Sequence, residues 1–242
     1  GSNQLQVGQT LENRGGRTLA SGATVLTATI LDNRGGSVQS GGTLTVGVDG
    51  VLDNSGQGAI ASAGDAQLRA TTLDNQAGGY ERAGDGALDS DVTALHGAGG
   101  RIVGNGALLL QGDTLDLTGA TTGARQVTVA AGSLDNSRGT LTATGEQAMT
   151  LQVAGVLGNN GGTIAANGAQ QISAGALSNV GGTLSAAGTG ATRIDVQGAF
   201  DNSRGTVASN GNQLHIEAAR LVNETGTLSH GGTESLAVVA GQ

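Results

Sequence analysis

The sequence Leu-Asp-Asn-Ser-Arg-Gly-Thr at residues 134–140 returns as Phe-Asp-Asn-Ser-Arg-Gly-Thr at residues 200–206. A shorter form, Leu-Asp-Asn-Arg-Gly-Gly, occupies residues 31–36. Each copy has an apolar residue, then a residue that is usually acidic, then Asn. From Asn13 to Asn223 the motif gives ten intervals over 210 residues, a mean of 21. A sustained period of this size indicates a repeat protein, so this motif decides the fold.

Nine copies of the motif keep the Asn, whereas two degenerate copies at residues 95–97 and 115–117 lack it. The nine are Asn13, Asn33, Asn54, Asn75, Asn136, Asn159, Asn179, Asn202 and Asn223. Asn suits turns, and its amide can bond to the amide of an Asn at the same position of the next repeat. We therefore expect a buried or half-buried structural Asn ladder. A row of turn-forming asparagines that face water is the alternative.

The rest of each repeat has the pattern of short strands. An aliphatic residue such as Ile164 or Leu184 stands five positions after the Asn, and alternating segments such as Ile194-Asp195-Val196 follow a second turn. Alternation with a period of two marks strands with one buried face. The sequence therefore predicts an all-β fold, a parallel β-helix (β-solenoid) of about 11 coils of about 21 residues. We expect residues 1–242 to form a single β-helical domain that extends as a rod.

The composition agrees with such a fold. The chain of 242 residues contains 46 Gly, no Pro and no Cys, and its formal net charge is −8. Gly supplies the conformations that tight corners need, and Pro would remove donors from strands paired on both sides. The lack of Cys excludes disulfides and thiolate metal ligands. The negative charge argues against nucleic acid as a partner.

No catalytic, cofactor-binding or metal site is predicted, and we expect the protein not to be an enzyme. The three histidines, His96, His215 and His230, are too far apart in the repeat array to share a metal. No repeat has a loop long enough to cover a cleft.

The sequence contains two groups of carboxylates. Each could be a solvated surface or a cation-binding site, and the sequence leaves both interpretations open. One is a column formed by Glu12, Asp32, Asp53 and Asp74, where Arg14 and Arg34 could offset the repulsion. The other is the cluster Asp85, Asp89 and Asp91. Repulsion between unit charges at the spacing of adjacent strands is about 1 kcal/mol in water.

The irregular repeats at residues 76–133 are the best location for a binding surface, because the Asn motif lapses there. Tyr80, Arg82, Arg101 and Arg125 lie in this stretch and are the candidate contact residues.

The motif copies at 31–36, 134–140 and 200–206 resemble the repeat region of filamentous haemagglutinins and related exoproteins of two-partner secretion. That group includes the effectors of contact-dependent growth inhibition. The resemblance implies a right-handed β-helix, export through an outer-membrane transporter of the two-partner type, and a place at the bacterial cell surface. It implies a role as the shaft of an adhesin or effector, which holds a distal functional tip away from the cell.

An alternative function is a binding module whose outer face contacts a host glycan, a matrix polysaccharide or a receptor on a host or bacterial cell. The chain lacks the Asn-Pro motifs of the family's secretion domain, so we interpret it as an internal fragment, with Gly1-Ser2 as a cloning scar. The strand edges of its first and last coils would be unpaired, which predicts end-to-end self-association.

Overall fold

The computed structural model describes residues 1–241, which form short strands joined by tight turns. Contacts divide the chain into two compact units, residues 1–121 and residues 122–242. Each unit is a parallel β-solenoid, and the two together contain about eleven turns. The predicted fold class is therefore confirmed. Within residues 1–241 no helix is long and apolar enough to cross a membrane.

The first unit has two parallel sheets. In one, the pairing order is β1-β4-β7-β9-β11-β13, with β2 and β5 beside it, and in the other it is β3-β6-β8-β10-β12. The strands are β1 (Asn3–Gln6), β2 (Thr10–Glu12), β3 (Arg17–Ala20), β4 (Thr24–Ala28), β5 (Ile30–Asp32), β6 (Ser37–Ser40), β7 (Leu44–Asp53), β8 (Ala59–Ser62), β9 (Ala66–Asp74), β10 (Gly79–Arg82), β11 (Ala87–His96), β12 (Arg101–Gly104) and β13 (Ala107–Asp116).

The second unit repeats this arrangement. Its long strands pair in the order β15-β17-β19-β21-β23-β25 and its short strands in the order β14-β16-β18-β20-β22-β24. They are β14 (Thr121–Ala124), which starts at the boundary, β15 (Gln126–Asp135), β16 (Thr140–Ala143), β17 (Met149–Gly158), β18 (Thr163–Ala166), β19 (Gln170–Ser178), β20 (Thr183–Ala186), β21 (Thr192–Asp201), β22 (Thr206–Ser209), β23 (Leu214–Val222), β24 (Thr227–His230) and β25 (Leu236–Ala240).

The core of each unit consists of inward-facing columns in which equivalent residues of successive coils stack. Leu31, Leu52 and Leu73 are in register and are completely buried. In the second unit Leu177 pairs with Phe200, which is also buried. Burial of one such side chain contributes about 1.5–3 kcal/mol, and the columns repeat this gain in every coil.

The turn after each motif Asn has a fixed geometry. The residue two positions after the Asn has a positive φ, as in Gly181 (φ 63°) and Arg204 (φ 58°). The left-handed residue is thus not the Asn itself. The Asn is free to direct its amide inward.

The last coil of the second unit leaves apolar side chains exposed. Leu236, Val238 and Val239 lie on β25, which is at the end of the pairing order, and each is more than two-fifths exposed. This edge is one of the two, with that of the first coil, at which end-to-end association is predicted. The association stays a prediction.

Candidate functional site

The motif asparagines of the second unit form a continuous chain of amide hydrogen bonds. Each Nδ2 donates to the Oδ1 of the Asn in the next coil, at 2.7 or 2.8 Å, from Asn136 through Asn159, Asn179 and Asn202 to Asn223. The same amides also donate to the backbone of the next coil, as from Asn159 to the Thr183 carbonyl at 3.1 Å. Asn136, Asn159, Asn179 and Asn202 are fully buried, and Asn223 is exposed.

The first unit has an equivalent, shorter ladder. Asn13, Asn33, Asn54 and Asn75 are joined by three amide bonds of 2.6–2.7 Å. The ladder stops at Asn75, because Gly97 and Leu117 occupy the corresponding positions of the next two repeats. Leu117 is fully buried, so an apolar side chain replaces the amide there.

These amides have a structural role. A buried polar group without a partner costs about 1–3 kcal/mol, whereas one that bonds to its neighbours fixes their relative positions. The ladder therefore specifies the register of consecutive coils, and it contains no group that could act as a nucleophile or an acid.

Two carboxylates of the acidic column in the first unit, Asp32 and Asp53, are paired with arginines. Asp32 accepts hydrogen bonds from both Arg14 and Arg34, each at 2.6 Å, and Arg34 also lies 3.2 Å from Asp53. The hydrogen bond from Arg34 is the main reason why the pKa of Asp32 lies well below its usual range, and Arg14 adds to this. The carboxylate of Asp32 is therefore occupied by guanidinium groups rather than free for a cation.

In the described residues, the second group of carboxylates does not come close enough together to hold a metal ion. This group consists of Asp85, Asp89 and Asp91. Asp91 lies 3.8 Å from Arg69. Partial burial, and secondarily the charge of Asp65, raises the pKa of Asp89.

The predicted binding surface around Tyr80 is wrong in part, because two of its four residues point into the core. Tyr80 is 1% exposed and stacks in register between Ile60 and Ile102, and its hydroxyl donates to the Asp89 carbonyl at 3.0 Å. Burial raises the pKa of the Tyr80 hydroxyl.

Arg82 is also buried, with only 5% of its side chain exposed. It takes the column position of Ser40 and Ser62, and its Nε donates to the Gly64 carbonyl at 2.8 Å. A Cβ on Gly86 would collide with the ends of the Asp65 and Arg82 side chains, so a larger residue there would require both of them to shift.

The other two residues of that prediction are on the surface. Arg101 is half exposed and forms an ion pair with Glu81 at 2.7 Å. Arg125 is exposed in the second unit. With Tyr80 and Arg82 inside, no aromatic ring remains in the predicted set to contact a sugar or a protein.

The structure shows a cluster that the sequence argument missed. Asp195 on β21 and His215 and Glu217 on β23 bring one ligand atom each to within 4.8 Å of the others. His215 is the only histidine in this cluster, where it lies close to two carboxylates. In the structure, Arg193-Ile194-Asp195 and His215-Ile216-Glu217 occupy the same register positions of neighbouring coils.

A shallow polar groove lies beside this cluster, on the outer face of the long strands. Amides, hydroxyls and charges line it together with apolar side chains. Its residues are Thr150, Leu151, Gln152, Gln171, Ile172, Ser173, Arg193 and Asp195. Such groups can donate to and accept from the hydroxyls of a polar ligand.

The geometry defines the chain as a parallel β-solenoid whose coils are aligned by buried asparagines. The family model of the haemagglutinin repeat matches residues 1–56, 39–91, 83–148, 148–204 and 201–238. The chain therefore belongs to the haemagglutinin repeat family. It matches no curated protein and no solved structure.

Haemagglutinin repeats on a solenoid fold suit a shaft-like region of an adhesin. Members of this family with this fold are typically structural or adhesive rather than enzymatic, and the family is associated with secretion and the cell surface.

Proposed function

We propose that this chain is a shaft segment of a large secreted bacterial surface protein, and that it holds a distal functional region away from the cell. The amide ladders support this most directly. In each unit every coil of the ladder is bonded to the next at a sequence separation of 20–23 residues, so no long insertion interrupts the stacking.

Stacked coils of this kind give stiffness and length. Each coil contacts only its neighbours and adds about 4.8 Å along the stacking direction. A segment of this type extends in proportion to the number of its repeats. That property serves an adhesin and a growth-inhibition effector equally, and both belong to this proposal.

Export is proposed to use an outer-membrane transporter of the two-partner type, which fits the family. The parallel coils can form one after another as the chain emerges, because every long-range contact of a coil is to the coil before or after it.

Whole-coil deletions in the surface protein test the shaft function. Deleting residues 157–199 removes two coils, since Leu157, Leu177 and Phe200 share one register position. Deleting residues 73–94 removes one coil of the first unit, because Leu73 pairs with Leu95. A shaft tolerates either deletion, so bacterial attachment should fall only modestly in both cases, and no more than the lost length explains. Deleting residues 157–188 ends part-way around a coil and should disrupt folding.

The result that would contradict a shaft is loss of attachment with only one of the two whole-coil deletions while export is unchanged. That result would place the contact surface within the deleted coil.

The alternative function, direct binding of a glycan or receptor, is favoured by one observation, the polar groove lined by Gln152 and Gln171. Glycan-array binding by the purified chain tests it. A ligand held in the groove should be lost in the double variant Gln152→Ala/Gln171→Ala and kept in Gln67→Ala, which alters an exposed Gln of the first unit. Equal binding by both variants would exclude the groove.

A further inference from the structure

The outer face of β21 and β23 carries four charged or ionisable side chains at the corners of a square. Ile194 and Ile216 are fully buried, so the residues on either side of each point outward. Arg193 is in register with His215, and Asp195 is in register with Glu217. Both strands are paired on both sides, which holds these side chains on a rigid surface.

The hydrogen bonds within this square are incomplete. Arg193 Nε donates to Asp195 Oδ2 at 2.6 Å, but Asp195 Oδ1 is shielded from water and has no hydrogen-bond partner in the described residues. His215 Nε2 is likewise shielded and has no such partner, and it lies 3.5 Å from Glu217 Oε2. Two polar atoms that water cannot reach, one on each of two adjacent strands, therefore have no hydrogen-bond partner in the described residues.

A metal ion would satisfy both atoms at once. Zn²⁺ binds imidazole nitrogen and carboxylate oxygen at about 2.0–2.2 Å in a tetrahedral arrangement, in which two ligand atoms are about 3.4 Å apart. The separation of His215 Nε2 and Glu217 Oε2 already has this value. Asp195 needs only a small side-chain movement, because all three ligand atoms lie within 4.8 Å of one another.

The charges of the square also suit a divalent cation. Two carboxylates face one guanidinium: Arg193 Nε lies 2.6 Å from Asp195 Oδ2 and Arg193 Nη2 lies 3.6 Å from Glu217 Oε2, whereas Asp195 Oδ1 has no hydrogen-bond partner in the described residues. Hydrogen bonding of a ligating carboxylate by such a neighbour is typical of metal sites, where it fixes the orientation of the ligand.

We propose that Asp195, His215 and Glu217 bind one Zn²⁺ ion, with solvent at the fourth position. One ligand comes from one coil and two from the next, so the ion joins two coils on their outer face. This goes beyond the shaft function and does not depend on it.

Zinc titration of the purified, tag-free chain after treatment with a chelator tests the proposal. Calorimetry should show one equivalent of Zn²⁺ bound. The variants His215→Gln and Asp195→Asn should each bind at least tenfold more weakly. His96→Gln is the matched control, since His96 is an exposed His of the first unit, and it should bind as the wild type does.

Thermal unfolding gives a second measurement that separates lost ligands from lost folding. Zn²⁺ should raise the melting temperature of the wild type and of His96→Gln, and it should leave that of His215→Gln unchanged. Without zinc all three proteins should melt cooperatively. Absence of binding at millimolar Zn²⁺, or full binding by His215→Gln, would overturn the proposal, and the square would then be a network of ion pairs.

Discussion

Asn179 Nδ2 donates to Oδ1 of Asn202, one coil further along, at 2.7 Å. Oδ1 of Asn179 in turn accepts from Asn159 at 2.7 Å. Asn179 is thus satisfied on both sides within the core. By contrast, Asn136 is the first amide of its ladder, and its Oδ1 has no hydrogen-bond partner in the described residues.

This difference predicts unequal effects of truncation. Both substitutions remove bonds to backbone carbonyls. Asn179→Ala also leaves an N–H of Asn159 and the Oδ1 of Asn202 without their ladder partners, whereas Asn136→Ala leaves only the Oδ1 of Asn159 without one. At about 1–3 kcal/mol for each unpaired buried group, Asn179→Ala should lower the free energy of unfolding by about 1–3 kcal/mol more. Urea denaturation measures both values. Equal losses would show that the ladder does not act through paired amides.

The two glycines after the motif Asn predict different tolerances. A Cβ at Gly182 would collide with the Asn159 carbonyl and lie 2.5 Å from Asn179 Oδ1, whereas a Cβ at Gly181 meets nothing within 4 Å. Gly182→Ala should therefore destabilise by about 3 kcal/mol or prevent folding. Gly181→Asn should change stability by less than about 1 kcal/mol, because Asn adopts positive φ readily.

The chain contains a natural comparison for Gly182, which lies three positions after the motif Asn. Where Leu117 replaces that Asn, the residue three positions on is Ala120, so a Cβ is present at this turn when the Asn side chain is absent. If thermal melts showed Gly181→Asn to be the more damaging change, backbone conformation rather than space would be the limiting factor at this turn.

The ion pairs of Asp32 predict that the free energy of unfolding depends on pH. Its pKa is lowered in the folded protein, first by Arg34, so its contribution is present above the usual Asp pKa of about 4 and is lost as the pH falls below it. Asp32→Asn should cost about 1 kcal/mol at pH 7, since both arginines are largely exposed, and progressively less toward pH 2.

Denaturation midpoints at pH 7, 4 and 2.5 measure this effect, and Asp113→Asn, at an exposed position, is the control. A difference between Asp32→Asn and the wild type that stays constant over this range would rule out a contribution from ionised Asp32.

The surroundings of Arg82 predict that the fold tolerates the loss of this buried charge if the volume of the side chain is kept. Its Nη1 is buried and has no hydrogen-bond partner in the described residues, and its ion-pair partner Asp65 is 68% exposed. Arg82→Met keeps most of the packing and removes the unpaired donor, so stability should stay within about 1 kcal/mol of the wild type or rise. Arg82→Ala should destabilise by about 2 kcal/mol or more, because it leaves a cavity. Similar losses in both variants would show that the charge itself is needed.

The strands and the ladder could be predicted from the sequence because both repeat. A residue at a fixed distance from the motif Asn occupies the same place in every coil, so Ile164 and Leu184 identify an inward column without any structure. The same rule places Tyr80, five residues after Asn75, in that column, and Arg82 in the next one. The surface prediction for these two residues failed because it relied on their chemical type and not on their position.

The cluster at Asp195 could not be found by the same reasoning. Its residues belong to two coils, and their proximity depends on the register between β21 and β23. Individual spacings vary around 21 residues, so the mean period does not say which of the polar residues on neighbouring strands stand side by side.

The amide ladders have a direction, because every bond runs from the Nδ2 of one coil to the Oδ1 of the coil that follows it in sequence. A coil that has just folded therefore presents an unused N–H, pointing at the place where the next Asn will arrive. Each finished coil acts as a template for its successor. Within each ladder, folding that proceeds from the amino terminus has such a donor waiting at every coil, so the order in which a chain is delivered can also be the order in which it becomes stable.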